Sequence, residues 1–177
     1  LYTRGRMQPA RELLGKALQR KPEFPEAQVV LASAHEALGD FEAALGSLRA
    51  ALRLRPGYVG ALRNLGLLLG RLGRWAEAEA ALRQASEAAA EDADAQYWRG
   101  TALVHLDRPE EAAACFREAL RIRPDFAQAL CPLGNILGDL GRRAEAIAHL
   151  TRAIELQPGL ADAHVGLGNM LVAGRQL

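Results

Sequence analysis

Apolar residues return along this chain at steps of three and four, first over residues 27–38 and again over residues 42–54. That period marks a helix with one buried face, so each stretch predicts an amphipathic α-helix. The pattern is broken at Gly39-Asp40, Gly73-Arg74, Asp107-Arg108 and Gly141-Arg142. Glycine accepts the left-handed conformation that ends a helix, and the polar residue after it starts the next. A second boundary carries Pro22, Pro56, Pro124 and Pro158. Proline cannot continue a helix, so it stops the second helix of each pair.

These marks recur every 34 residues, and the strings GDFEAALGSLRAALRLRPGY, GRWAEAEAALRQASEAAAED, DRPEEAAACFREALRIRPDF and GRRAEAIAHLTRAIELQPGL align without a gap. In register, small residues form the columns Ala10, Ala44, Ala78, Ala112, Ala146 and Ala17, Ala51, Ala85, Ala119, Ala153. Between them runs a large apolar column of Leu14, Leu48, Leu82, Phe116 and Leu150. On the first helix of each pair, Ala32, Gly66, Gly100, Gly134 and Gly168 allow a close approach to its partner. One such pair cannot bury its apolar face alone, so the pairs must stack.

Composition narrows the picture. Ala numbers 35 while Val, Ile and Thr together number 13, which argues against a large sheet. Half the residues are apolar, enough to exclude intrinsic disorder. With 22 basic and 21 acidic side chains, the chain lacks the positive stripe that reading nucleic acid requires. The longest charge-free stretch, residues 126–138, is too short to cross a bilayer and contains Pro132. Twenty of the basic residues are arginine, and their placement beside acids in the second helices and turns predicts ion pairs on an outer face. The same bias, with abundant Ala and Leu, points to a GC-rich bacterial gene.

Chemistry-bearing residues are sparse. Cys115 and Cys131 have no CxxC spacing, and although neighbouring helices could bring them together, a pair of free thiols in a reducing compartment is the expected state. His35, His105, His149 and His164 show no metal-ligand spacing, so no metal is expected. Neither a nucleophile with a base, a carboxylate pair nor a phosphate-binding glycine loop is present, and the chain is expected to be noncatalytic and without a cofactor.

With its helix pairs, its Leu-Gly steps (Leu65-Gly66, Leu133-Gly134, Leu167-Gly168), its alanine columns and its terminal prolines, the chain resembles a tetratricopeptide repeat (TPR) array over practically its whole length. It departs from that pattern at Arg99, Asp107 and Ala90, where Leu, Gly and Pro would stand. The resemblance implies an all-α solenoid of antiparallel helix pairs wound as a right-handed superhelix. The register sets complete repeats at residues 25–58, 59–92, 93–126 and 127–160. Residues 1–24 would hold the end of a first helix and a whole second helix, and residues 161–177 a lone first helix. Leu167, Met170 and Leu171 would then expose an apolar stripe, so the chain is expected to be a segment of a longer protein.

In such an array the first helices line a concave groove. The groove columns of this chain hold Val30, Asn64, Trp98, Pro132 and Gly166, then Ser33, Leu67, Thr101, Asn135 and Asn169, with Arg63, Tyr97 and Cys131 beside them and Arg71, His105 and Asp139 one turn on. Adjacent helical residues point about 100° apart, so Tyr97 and Trp98 cannot share one narrow core stripe and at least one lines the groove; the alternative for Trp98 is packing between repeats. Arg63, Asn64, Tyr97, Trp98, Thr101, Asn135 and Asn169 are the expected peptide- or protein-binding residues, the asparagines holding a backbone by its amides or standing as solvated surface groups. The asparagine ladder of similar arrays in O-linked sugar transferases is mostly missing. Asp94, Gln128 and Asp162 occupy positions where the carboxylate clamp of chaperone-binding arrays needs basic residues.

A noncatalytic scaffold that binds a protein or peptide partner in its groove is therefore expected, without membrane insertion and in the cytoplasm. The alternative is the substrate-selecting arm of a larger glycosyltransferase or sulfotransferase. Self-association through exposed solenoid ends is a further expectation.

Overall fold

The computed structural model describes residues 4–173, and the side chains of residues 8–172. Every regular element among the described residues is an α-helix. The chain divides into two compact units, one ending at Ala90 and the other beginning at Glu91. The first holds α1 (Arg4–Arg20), α2 (Pro25–Leu38), α3 (Phe41–Leu54), α4 (Val59–Arg71) and α5 (Trp75–Ala88). The second holds α6 (Ala93–His105), α7 (Pro109–Ile122), α8 (Ala127–Asp139), α9 (Arg143–Leu156) and α10 (Ala161–Ala173). Within each unit, successive helices pack against one another as stacked hairpins.

The turns inside the pairs fall where expected. Gly39, Gly73 and Gly141 have φ of 85°, 72° and 75°, and Asp107 keeps the same left-handed conformation at 56° without being glycine. Aspartate tolerates this region better than most side chains, so the hairpin survives the substitution. The residue after each turn reaches back five positions: the Asp40, Arg74, Arg108 and Arg142 amides donate to His35, Leu69, Leu103 and Leu137 carbonyls. Those bonds satisfy carbonyls that the helix end would otherwise leave open.

The next helix is then started in two ways. Asp40 accepts the Ala43 amide at 3.4 Å as an ordinary cap. Arginine cannot accept, and instead Arg74, Arg108 and Arg142 each fork onto the glutamate three residues later, Glu77, Glu111 and Glu145, with N···O distances of 2.7–2.8 Å. The glutamate thereby sits in the first turn, where the helix dipole favours a negative charge. At the far boundary, Arg55, Ala89, Arg123 and Gln157 adopt nearly the same extended conformation, with φ of −142°, −141°, −130° and −139°. Ala89 does so although Ala90 replaces the proline, because the pre-proline geometry is open to any residue.

The core follows the columns. Ala44, Ala78, Ala112 and Ala146, then Ala51, Ala85, Ala119 and Ala153, are buried around Leu48, Leu82, Phe116 and Leu150. The glycines supply the depth these large residues need. A Cβ on Gly100 would lie 2.8 Å from a Phe116 ring carbon, one on Gly134 2.7 Å from Leu150 Cγ, and one on Gly66 would strike Leu82. Both cysteines are free and buried, Cys115 in α7 and Cys131 in α8.

Two end features differ from expectation. In place of the end of a first helix followed by a second, residues 4–20 form one continuous helix. Among the described residues α1 packs chiefly on α2, with Ala10 and Leu14 half-buried and Ala17 exposed. On α10, Leu171 is exposed as expected, but Leu167 and Met170 are half-buried against the core of the second unit. The exposed large residues of α10 are Val165, Leu171 and Val172.

Candidate functional site

The first helices of the second unit, α6, α8 and α10, enclose a concavity of about 560 Å³. Small residues make room for it. Gly166 of α10 faces the Asn135 side chain of α8 so closely that a Cβ there would collide with Asn135 Oδ1. Tyr97, Thr101, Val104 and His105 come from α6; Gln128, Cys131, Pro132, Asn135 and Asp139 from α8; Asp162, Val165, Gly166, Asn169 and Met170 from α10. Phe116 and Leu160 complete the wall.

Tyr97 is the aromatic anchor of this wall. Its ring lies 5.0 Å from Phe126 and 5.8 Å from Phe116, both tilted, and takes the edge of Trp98 at 4.9 Å. Burial pushes its phenol pKa up, so it stays a neutral donor and acceptor. Behind it, Arg123 covers the Phe126 ring at 4.3 Å and pairs with Asp94 at 3.2 Å. The Thr101 hydroxyl donates back to the Tyr97 carbonyl at 3.1 Å. Burial, with the Asp162 charge adding to it, also pushes the Cys131 thiol up. A thiol that stays protonated is a poor nucleophile and packs as a small apolar group.

Of the expected binding residues, Tyr97, Thr101, Asn135 and Asn169 are brought together on this cavity. Trp98 is 37% exposed, flanks Tyr97 and lies outside the lining. Arg63 and Asn64 stand half-buried on α4 of the other unit. Val104, Val165 and Met170 were not anticipated. Val104 is three residues after Thr101, and Val165 four before Asn169, so the helical period was the signal that leads from one to the other.

The repeat that shapes this cavity also assigns the chain. Sequence models of the tetratricopeptide repeat match residues 1–59 and 63–125, and another matches residues 127–160. The chain belongs to the tetratricopeptide repeat family. Its solved structural relatives include YrrB, described as a TPR protein with an unusual peptide-binding site, at 25% identity and TM-score 0.83 over 93% of this chain and 85% of that one. TTC0263, a thermophilic TPR protein in Thermus thermophilus, gives 27% identity and TM-score 0.66 over 97% and 94%. MamA from Desulfovibrio magneticus RS-1 shares the fold at 24% identity and TM-score 0.79, over 90% of each chain. No curated protein matches the sequence. This TPR chain is thus an all-α solenoid of a family that serves as protein–protein interaction scaffolds, and no described helix is long and apolar enough to cross a membrane.

Proposed function

We propose that this TPR chain is a noncatalytic docking module that holds an extended segment of another protein in the cavity between α6, α8 and α10. The observation that carries this reading is the composition of the cavity. Two asparagine amides, Asn135 and Asn169, and a half-buried tyrosine, Tyr97, converge on one concave surface with Val104 and Val165 between them. Amides can hold a peptide backbone through paired donor and acceptor bonds, whatever its side chains. The Asn169 side chain is exposed and makes no hydrogen bond with a described residue, so it meets a ligand without first breaking a bond. Apolar and aromatic surface then supplies the area that such a segment needs to bury. Trp98 would extend the anchor beyond the rim.

The test is capture of proteins from host lysate by the chain and by an Asn135→Ala/Asn169→Ala variant of equal helicity. Proteins retained by the parent and lost by the variant are the expected result. Capture that the variant leaves unchanged would place the working surface elsewhere.

A further inference from the structure

The second unit sorts its charges by location. Several of its arginines are drawn into pairs on the turns and second helices, as Arg108 with Glu111, Arg142 with Glu145 and Arg152 with Glu155. Among the described residues, no lysine or arginine lines the cavity. Two carboxylates do, Asp139 and Asp162, and neither side chain makes an ion pair or hydrogen bond with a described residue. They do not form a cluster. In register, Asp162 corresponds to Gln128, eleven residues before Asp139. At about 1.5 Å per residue this sets the two about 16 Å apart along the first-helix axes, one toward each end of the concavity.

Asp139 carries the argument, because its own helix gives no reason for it. It is the last residue of α8, where exposed carbonyls make a negative charge unfavourable. The same register position holds Arg71 at the end of α4 and His105 at the end of α6, residues that suit a carbonyl end. α8 alone among these three ends in an acid. A second feature adds to the acceptors. Pro132 lies inside α8 and has no N–H, which removes the donor that would otherwise take up the Gln128 carbonyl, and both residues line the cavity.

We propose that this cavity receives a cationic segment of a partner protein, a lysine or arginine side chain of that segment pairing with Asp139. The inference rests on the docking reading above and adds the chemistry of the occupant. Asp162 and the Gln128 carbonyl give the rest of the segment further acceptors. An acidic segment finds no counter-cation here and is repelled at both ends.

The test uses a display library of random peptides panned against the whole chain at low salt, then one labelled peptide from the selected pool. The pool is expected to be enriched in lysine and arginine and depleted of aspartate and glutamate. The labelled peptide should bind the Asp139→Asn/Asp162→Asn variant about tenfold more weakly, and the single Asp139→Asn change should account for most of the loss. Glu155→Gln, which neutralises an exposed carboxylate outside the cavity, should leave affinity unchanged. A neutral or acidic pool, or equal binding by the aspartate variant, overturns the cationic occupant while binding still lost in Asn135→Ala/Asn169→Ala keeps the docking site. Peptides indifferent to both variants overturn the docking site as well.

Discussion

His149 is the side chain of this chain whose burial matters most near neutral pH. It sits half-buried on α9, where desolvation lowers its pKa below the ordinary 6.5, Glu145 works against that shift and Arg117 adds to it. The folded state therefore prefers the neutral ring. Its contribution is fully present above the unfolded value of 6.5 and is lost as pH falls toward and through the lower folded value. The carboxylates that gain arginine partners, Glu77, Glu111 and Glu145, are held below their ordinary 4.5 and stay ionised across this window. The melting temperature should thus be level above pH 6.5, decline below it, and decline less steeply in His149→Gln, as thermal scans across a pH series would show. The exposed arginine–glutamate forks contribute little by comparison, because solvent and salt screen them.

Helix pairs are held by how deeply one large residue enters its partner. Gly100 gives Phe116 that depth, and an added Cβ would meet a stiff ring at 2.8 Å. Gly46 of α3 has nothing within 4 Å of the same position. Gly100→Ala should therefore destabilise, the crowding costing about 1–3 kcal/mol and exceeding the gain in helix propensity. Gly46→Ala should stabilise by about 0.5–1 kcal/mol. Urea melts of the two variants measure both signs. A stabilised Gly100→Ala would mean that the aromatic column is looser than its burial implies. The columns of small residues were readable from the repeat, since they recur every 34 residues. Gly66, Gly100 and Gly134 were readable as packing sites in this way, whereas Gly168 at the same register position has nothing within 4 Å and is exposed, because close approach depends on the facing helix.

At the scale of the whole molecule, stability in a repeat array is a sum of each repeat's own stability and its contacts with neighbours. Among the described residues α1 packs chiefly on α2, and its Ala10, Leu14 and Ala17 are covered less than their counterparts in α3, α5, α7 and α9. Amides of residues 8–20 should exchange by local opening well before those of α3, which is covered by both α2 and α4. Hydrogen exchange read by mass spectrometry checks this order. Equal protection of the two helices would contradict it.

The sequence by itself determined the elements and their register. Turn glycines, boundary prolines and apolar columns each act through local backbone geometry or helical period, and both are written in residue order. That is why Asp107 and Ala90 could depart from the pattern without changing the fold: their neighbours already demanded the same conformation. Thr101, Asn135 and Asn169 were legible as one surface for the same reason, as they share a register column, and Tyr97 stands one turn before Thr101 on the same helix. Tertiary structure decided what no column states. It set Trp98 outside the cavity that Tyr97 lines, and it brought Val104 and Val165 into the wall. It also left Asp139 facing that space without a cation among the described residues, while Arg108 and Arg142 of the same unit found glutamates. The physical reason is that a helical period says which residues share a face, whereas exposure and charge pairing depend on what the neighbouring helices bring against that face.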